Sequence, residues 1–84
     1  MRVFYTREFE HEFKKAGLKL QAKINNRIDI LLDDGHHPLL KDHPLHGKYQ
    51  GKRSISITGD WRVIYYIEGF TIIFFRLGRH TDLY

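Results

Sequence analysis

In the first third of the chain, apolar side chains return every three or four positions. Val3-Phe4-Tyr5 reads as a short strand, and Thr6 is placed to cap a helix whose apolar face is Phe9, Phe13 and Ala16, until Gly17 interrupts it. From Leu18 to Asp34 the residues Leu20, Ile24, Ile28, Leu31 and Leu32 keep the helical period, and Gly35 with Pro38 ends it. The pattern predicts a helical hairpin. Its second helix sets Lys19, Lys23 and Arg27 in one row, which suits a solvated face or a nucleic-acid contact.

Beyond residue 52 the rhythm changes to that of strands. Arg53–Thr58, Trp61–Ile67 and Phe70–Arg76 are three β-rich runs separated by Gly59-Asp60 and Glu68-Gly69, which predicts an antiparallel meander. With both turns tight, Trp61 opposes Thr58 across one hairpin and Arg76 across the other. The pleat then gathers Ser54, Ser56, Thr58, Trp61 and Arg76 on one face, together with Val63, Tyr65, Ile67, Ile72 and Phe74. Ile55, Ile57, Ile64, Tyr66, Ile73 and Phe75 share the second face, the one suited to the helices. On the first face only the end near the first hairpin is polar enough for a wet site; the rest needs cover. Between hairpin and meander, residues 35–51 hold both prolines, three glycines and four of the six histidines, so they read as a structured loop with a short strand near Lys48-Tyr49.

This order of elements predicts an α+β fold, an N-terminal strand and helical hairpin packed on a mainly antiparallel sheet. A chain of 84 residues has room for one domain, 1–84, and one modest core. Cysteine is absent, so neither disulfides nor thiolate-bound zinc are expected, which fits a reducing compartment such as the cytoplasm. No apolar run approaches the roughly 20 residues of a membrane span, and the N-terminus lacks the apolar core of a signal peptide. The net charge of +4 is uneven: residues 41–84 carry seven Lys/Arg against four Asp/Glu, and residues 1–40 seven against six. A basic C-terminal half tilts the reading toward a polyanionic partner.

Among chemistries, a metal site is the first to test because His36, His37, His43 and His46 lie close together. His43-Pro44-Leu45-His46 lacks the helical pair of zinc hydrolases, and Asp42 is the only nearby carboxylate, so no metal is expected. No Gly-x-Ser-x-Gly turn and no Gly-rich phosphate loop is present. What remains is acid–base chemistry. Histidine as a residue type changes charge near neutrality, arginine forks onto phosphate, and aromatic rings stack on unpaired bases. RNA carries its own nucleophile in the 2′-hydroxyl, so a base, a cation and an acid suffice to cut it without cofactor.

Four segments carry a family resemblance: Asp42-His43-Pro44-Leu45-His46-Gly47, Gly51-Lys52-Arg53, Gly59-Asp60-Trp61-Arg62-Val63-Ile64-Tyr65, and Arg76-Leu77-Gly78-Arg79-His80-Thr81-Asp82-Leu83-Tyr84. In order and spacing they resemble the YafQ branch of the RelE/ParE toxins. The resemblance implies a RelE-like βααβββ fold and a metal-independent endoribonuclease that cuts messenger RNA in the ribosomal A site and is held inactive by a cognate antitoxin. By position, His43 and Asp60 match residues that assist proton removal, His80 the general acid and Arg76 the phosphate-stabilising arginine; which of His43 and Asp60 is the base stays open. Trp61 and Tyr84 match active-site aromatics, and His46, Lys52, Arg53, Arg62 and Arg79 are expected as further RNA contacts. Ser56 stands where such toxins often have another histidine, a change for which His46 offers compensation. Taken singly, Trp61 also reads as core, Arg76 and Arg79 as surface charges, and His43 as a turn residue. Two alternatives share the fold: a ParE-like toxin that binds gyrase, and a non-catalytic module that binds ribosome or antitoxin.

Overall fold

The computed structural model describes residues 1–84. Its elements run β1 (Arg2–Tyr5), α1 (Arg7–Lys15), α2 (Leu18–Asp33), β2 (His43–Pro44), β3 (Arg53–Ser56), β4 (Trp61–Glu68), β5 (Thr71–Arg79) and α3 (His80–Leu83). Single 3-10 turns occupy Pro38–Leu40 and Gly47–Tyr49. The strand expected near Lys48-Tyr49 is therefore a turn, and the small strand lies at His43–Pro44 instead. One turn of helix at α3 has no counterpart in the sequence expectation.

Local chemistry explains the hairpin. The Thr6 hydroxyl accepts from the Phe9 amide at 3.1 Å, satisfying one of the free amides that open α1. Glu8 and Glu10 lie in its first turn and Lys14 and Lys15 in its last, the arrangement the helix dipole favours. The Gln21 side-chain amide donates to the carbonyls of Phe13 and Ala16, so α2 closes the open end of α1.

The sheet order is β1-β5-β4-β3-β2, with β1 parallel to β5 and every other pair antiparallel. Both hairpin registers differ from the tight-turn expectation. In the first, Ser54 faces Ile64 and Ser56 faces Arg62, because residues 57–61 form a longer loop in which Trp61 offers its carbonyl to the amides of Ile57 and Thr58. In the second, Glu68 faces Thr71 across Gly69-Phe70, and Gly69 adopts the positive φ of 61° that this position needs. A β-bulge then intervenes: Tyr65 faces Phe74 but Ile64 faces Arg76, so Phe75 is the extra residue.

These shifts redistribute the faces. Val63, Tyr65, Ile72, Phe74 and Leu77 pack with Ile55 and Ile57 against Phe9, Ile24, Ile28 and Leu31 of the helices. Ile64 lies in a second cluster on the opposite face with Leu45, Tyr49 and Leu83, and Phe75 packs against it. The expectation that Ile64 and Phe75 face the helices is thus corrected, and of the apolar group assigned to the open face Val63, Tyr65, Ile72 and Phe74 are packed with the helices while Ile67 stays exposed. Each fully buried aliphatic side chain contributes on the order of 1.5–3 kcal/mol, which decides the register in favour of this division.

Candidate active site

One cross-strand row organises the open face. His43 is paired with Ser54, Ser54 with Ile64, and Ile64 with Arg76, so four strands each place one residue in line. Directly opposed residues share a face, and the bulge at Phe75 brings Arg76 onto it. Ser54 is fully buried, and its Oγ accepts a hydrogen bond from the Tyr84 hydroxyl at 2.7 Å. The Tyr84 ring lies 4.7 Å, centroid to centroid, from the His80 ring. Ser54 thus anchors the C-terminal turn, and with it His80, above the row.

That anchoring needs Gly78. A Cβ there would meet the Cγ and Cδ2 of Leu83 at 3.1 Å, so a bare backbone lets α3 fold back and bury Leu83 against the sheet. The hairpin loop holds the other end of α3, because the His80 amide donates to the Asp60 carbonyl at 2.8 Å.

His43 is exposed, and its Nδ1 lies 2.9 Å from the Lys41 carbonyl oxygen. A carbonyl only accepts, so Nδ1 carries the proton and the neutral ring keeps its lone pair on Nε2. Lys41 turns that carbonyl toward the ring by taking a left-handed conformation, φ 48°. Asp42, next in sequence, accepts from Arg53 Nε at 3.0 Å and from the Tyr65 hydroxyl. Burial, then the Asp42 bond and charge, push the Tyr65 phenol above its ordinary value. For Arg53, burial is the largest single influence and opposes the charge, but the bond to Asp42, the Asp42 charge and Tyr65 together outweigh it and leave the guanidinium more basic.

Arg76 sits where β1 no longer covers β5. Its Nε lies 3.1 Å from both Glu12 carboxylate oxygens and its Nη2 2.8 Å from Oε2. The Glu12 bond raises the Arg76 pKa more than burial lowers it.

Several residues expected at the site are elsewhere. Trp61 packs against the helix-facing core and lines a groove with Lys19, Leu20, Lys23, Arg27 and Thr58, so the expected group of Ser56, Trp61 and Arg76 loses its tryptophan. The first hairpin loop is one residue off the tight turn, which reverses the face of Trp61 relative to β3. Arg53 also lies on the helix side, engaged by Asp42. Arg62 donates to the carbonyls of Thr58, Gly59 and Trp61 and so closes the loop rather than reaching into the open face. Arg79 stacks 5.8 Å from the Trp61 ring centre and lies 3.9 Å from Asp60, both charges well exposed. Asp60 is on the loop, several residues beyond the His43 row and thus roughly 10 Å or more along the strands. Lys52 does lie on the open face, its Nζ 4.9 Å from the Phe75 ring centre and 5.2 Å from that of Tyr66. His46 and Ser56 flank the row, His46 exposed and Ser56 half-buried. No three His, Asp or Glu side chains are grouped as a metal site would require.

Sequence reading placed Ser54 on the polar face but gave it no role, and it missed Glu12. Ser54 carried a signal, a small polar residue alternating with isoleucines in a strand. Glu12 carried none, because nothing local ties a helix-flank carboxylate to an arginine 64 residues later.

A five-stranded sheet in this order, helices on one face and an open face bearing histidine, tyrosine and arginine, is the architecture of small bacterial toxins. The chain belongs to the family described as the bacterial toxin of type II toxin–antitoxin systems, YafQ, whose pattern it matches over residues 1–84. It is 39% identical over 73 residues to the mRNA interferase toxin YafQ of Escherichia coli K12, spanning 87% of this chain and 73% of that one. The crystal structure of E. coli YafQ superposes with a TM-score of 0.85 at 25% identity, covering 100% of this chain and 99% of the other. YafQ in the E. coli DinJ–YafQ toxin–antitoxin complex gives 0.81 at 26% identity, covering 98% and 94%. No helix is long and apolar enough to cross a membrane.

Proposed function

We propose that this chain is an mRNA interferase, an endoribonuclease that cuts messenger RNA on the ribosome without a metal, and that residues 1–84 act as one toxin domain. The observation that carries the reading is the row of His43, Ser54 and Arg76, with His80 held over it by the bond from Tyr84 to Ser54.

In this mechanism His43 Nε2 takes the proton from the 2′-hydroxyl, its Nδ1 proton being held by the Lys41 carbonyl. The 2′-oxygen attacks the adjacent phosphorus, and Arg76 neutralises the negative charge that builds on the phosphoryl oxygens. The bond to the 5′-oxygen breaks as His80 gives that oxygen a proton, leaving a 2′,3′-cyclic phosphate and a 5′-hydroxyl. Tyr84, an exposed residue, stacks on a base beside the cut, and Lys52, His46 and Ser56 contact the flanking strand. At the loop the main-chain carbonyl of Asp60 fixes the His80 amide, and His43, on the row, takes the part of the base.

Ribosome docking falls to the groove beside Trp61, where the row of Lys19, Lys23 and Arg27 supplies positive charge and no acidic residue lines the walls. Arg79 adds a cation at its edge. Since ribosomes are its substrate platform, the toxin works in the cytoplasm, and a cognate antitoxin keeps it inactive, a reading supported by the existence of a DinJ–YafQ toxin–antitoxin complex in E. coli.

The decisive experiment is cleavage of a defined message on bacterial ribosomes by purified protein, mapped by primer extension. Cuts should persist with a metal chelator and disappear in His80→Ala. Folded protein that leaves the message intact but inhibits gyrase would replace this reading with the ParE-like one; chelator-sensitive cuts would remove the metal-free mechanism.

A further inference from the structure

The ladder between β1 and β5 ends at the pair Tyr5 and Phe74, yet β5 continues to Arg79. Its edge groups beyond that point would be left unpaired were α1 not laid along them. The Thr6 hydroxyl donates to the Phe75 carbonyl at 2.7 Å, and Glu12 Oε1 accepts from the Leu77 amide at 3.0 Å. The same carboxylate takes Nε and Nη2 of Arg76. One glutamate therefore binds both the backbone and the side chain of the segment that carries Arg76.

A guanidinium has five N–H donors, and Glu12 uses two of them, the Nε proton and one on Nη2. The edge formed by Nη1 and the other Nη2 proton stays available, and that edge suits a phosphate bidentately. The carboxylate occupies the side of the fork rather than its tip, so it orients the cation without displacing the phosphate.

We infer that Glu12 is the positioning residue for Arg76, fixing the plane of its guanidinium so that the free edge meets the scissile phosphate as charge develops there. This rests on the reading of Arg76 as the phosphate-stabilising arginine. A free arginine side chain samples many rotamers; one clamped through Nε has its plane set, and misplacement of a catalytic group by about 1 Å costs roughly a hundredfold in rate. The Leu77 bond adds a second restraint, since it locks the backbone just after the bulge.

Single-turnover cleavage on ribosomes would be compared for wild type, Glu12→Gln, Arg76→Ala and the double variant, with thermal unfolding of each. Glu12→Gln keeps an oxygen for the Leu77 amide but loses the charge and one acceptor of the fork. Its cleavage rate should fall about ten- to a hundredfold, with half-saturation and unfolding temperature nearly unchanged. In the Arg76→Ala background the same substitution should cost nothing further. A Glu12→Gln rate equal to wild type, with Arg76→Ala slow, overturns the inference and leaves the proposed function standing; so does an equal additional loss in the double variant, the mark of a merely structural carboxylate. Wild-type protein that does not cleave, or Arg76→Ala that cleaves normally, removes the underlying reading and the inference with it. Should the Gln variant fail to fold, hydrogen exchange at Arg76 Nε in the wild type decides: protection supports the clamp, and exchange as fast as at an exposed arginine such as Arg2 overturns it.

Discussion

At the scale of single residues, chemistry here is set by which hydrogen bond each side chain has already made. His43 has its Nδ1 proton held by a carbonyl, Arg76 is a clamped cation, and Tyr84 is tied through its hydroxyl to Ser54. Tyr84→Phe separates stacking from anchoring. The ring remains, the buried Ser54 hydroxyl loses its partner, and a loss of about 1–3 kcal/mol of stability follows. Because the turn that carries His80 then keeps only its tether to the Asp60 carbonyl, the cleavage rate should fall further than thermal unfolding alone accounts for. An unaltered rate would show that His80 does not depend on the Ser54 anchor. His43, Asp60, Arg76 and His80 were legible as candidates through the resemblance of the segments that carry them to a toxin family, since taken singly each also reads as a surface or turn residue. The tautomer of His43 was not, since it depends on a left-handed Lys41 that no local rule requires.

Among elements, the helical hairpin was readable because amphipathic period, cap and stop signals agree within short windows. The meander was readable as three strands, but its registers were not. One loop residue and one bulge residue each reverse the face of everything beyond them, so Trp61 went to the helices and Ile64 and Phe75 to the open side. Gly78 and α3 test how far the site depends on such details. Gly78→Ala places a Cβ 3.1 Å from two Leu83 carbons. Overpacking of this kind costs about 1–3 kcal/mol, and displacement of the single-turn α3 should lower cleavage more than stability; an unchanged unfolding temperature and rate would refute the packing argument. The loop before β2 gives a pH test. Burial and Asp42 raise the Tyr65 pKa in the folded chain, so the tyrosine stays neutral there while its unfolded counterpart ionises. The stability it contributes is present below pH about 10 and is lost as pH rises through the raised value. Tyr65→Phe should therefore flatten the alkaline fall in unfolding temperature, and an identical alkaline profile would count against the Asp42 contact.

For the molecule as a whole, one side of the sheet is spent on the core and the other on chemistry, with basic groups distributed over both rims. Ribosome affinity should fall steeply with salt, and replacing Lys19 and Lys23 by alanine should reduce the slope of log affinity against log salt by about one or two phosphate contacts. A slope that does not change would place docking elsewhere, on the face with Lys52.

Fold class, the helical hairpin, the three long strands, the basic balance and the acid–base residue types were determined by the sequence itself, because each depends on neighbours within a few positions or on composition. The parallel pairing of β1 with β5, the row joining His43, Ser54 and Arg76, the departure of Trp61, Arg53 and Arg62 from that row, and the clamp of Glu12 on Arg76 were decided only in the tertiary structure. Each joins groups distant along the chain, and burial of the better apolar face, not any local preference, chooses among registers that short-range signals leave nearly equal.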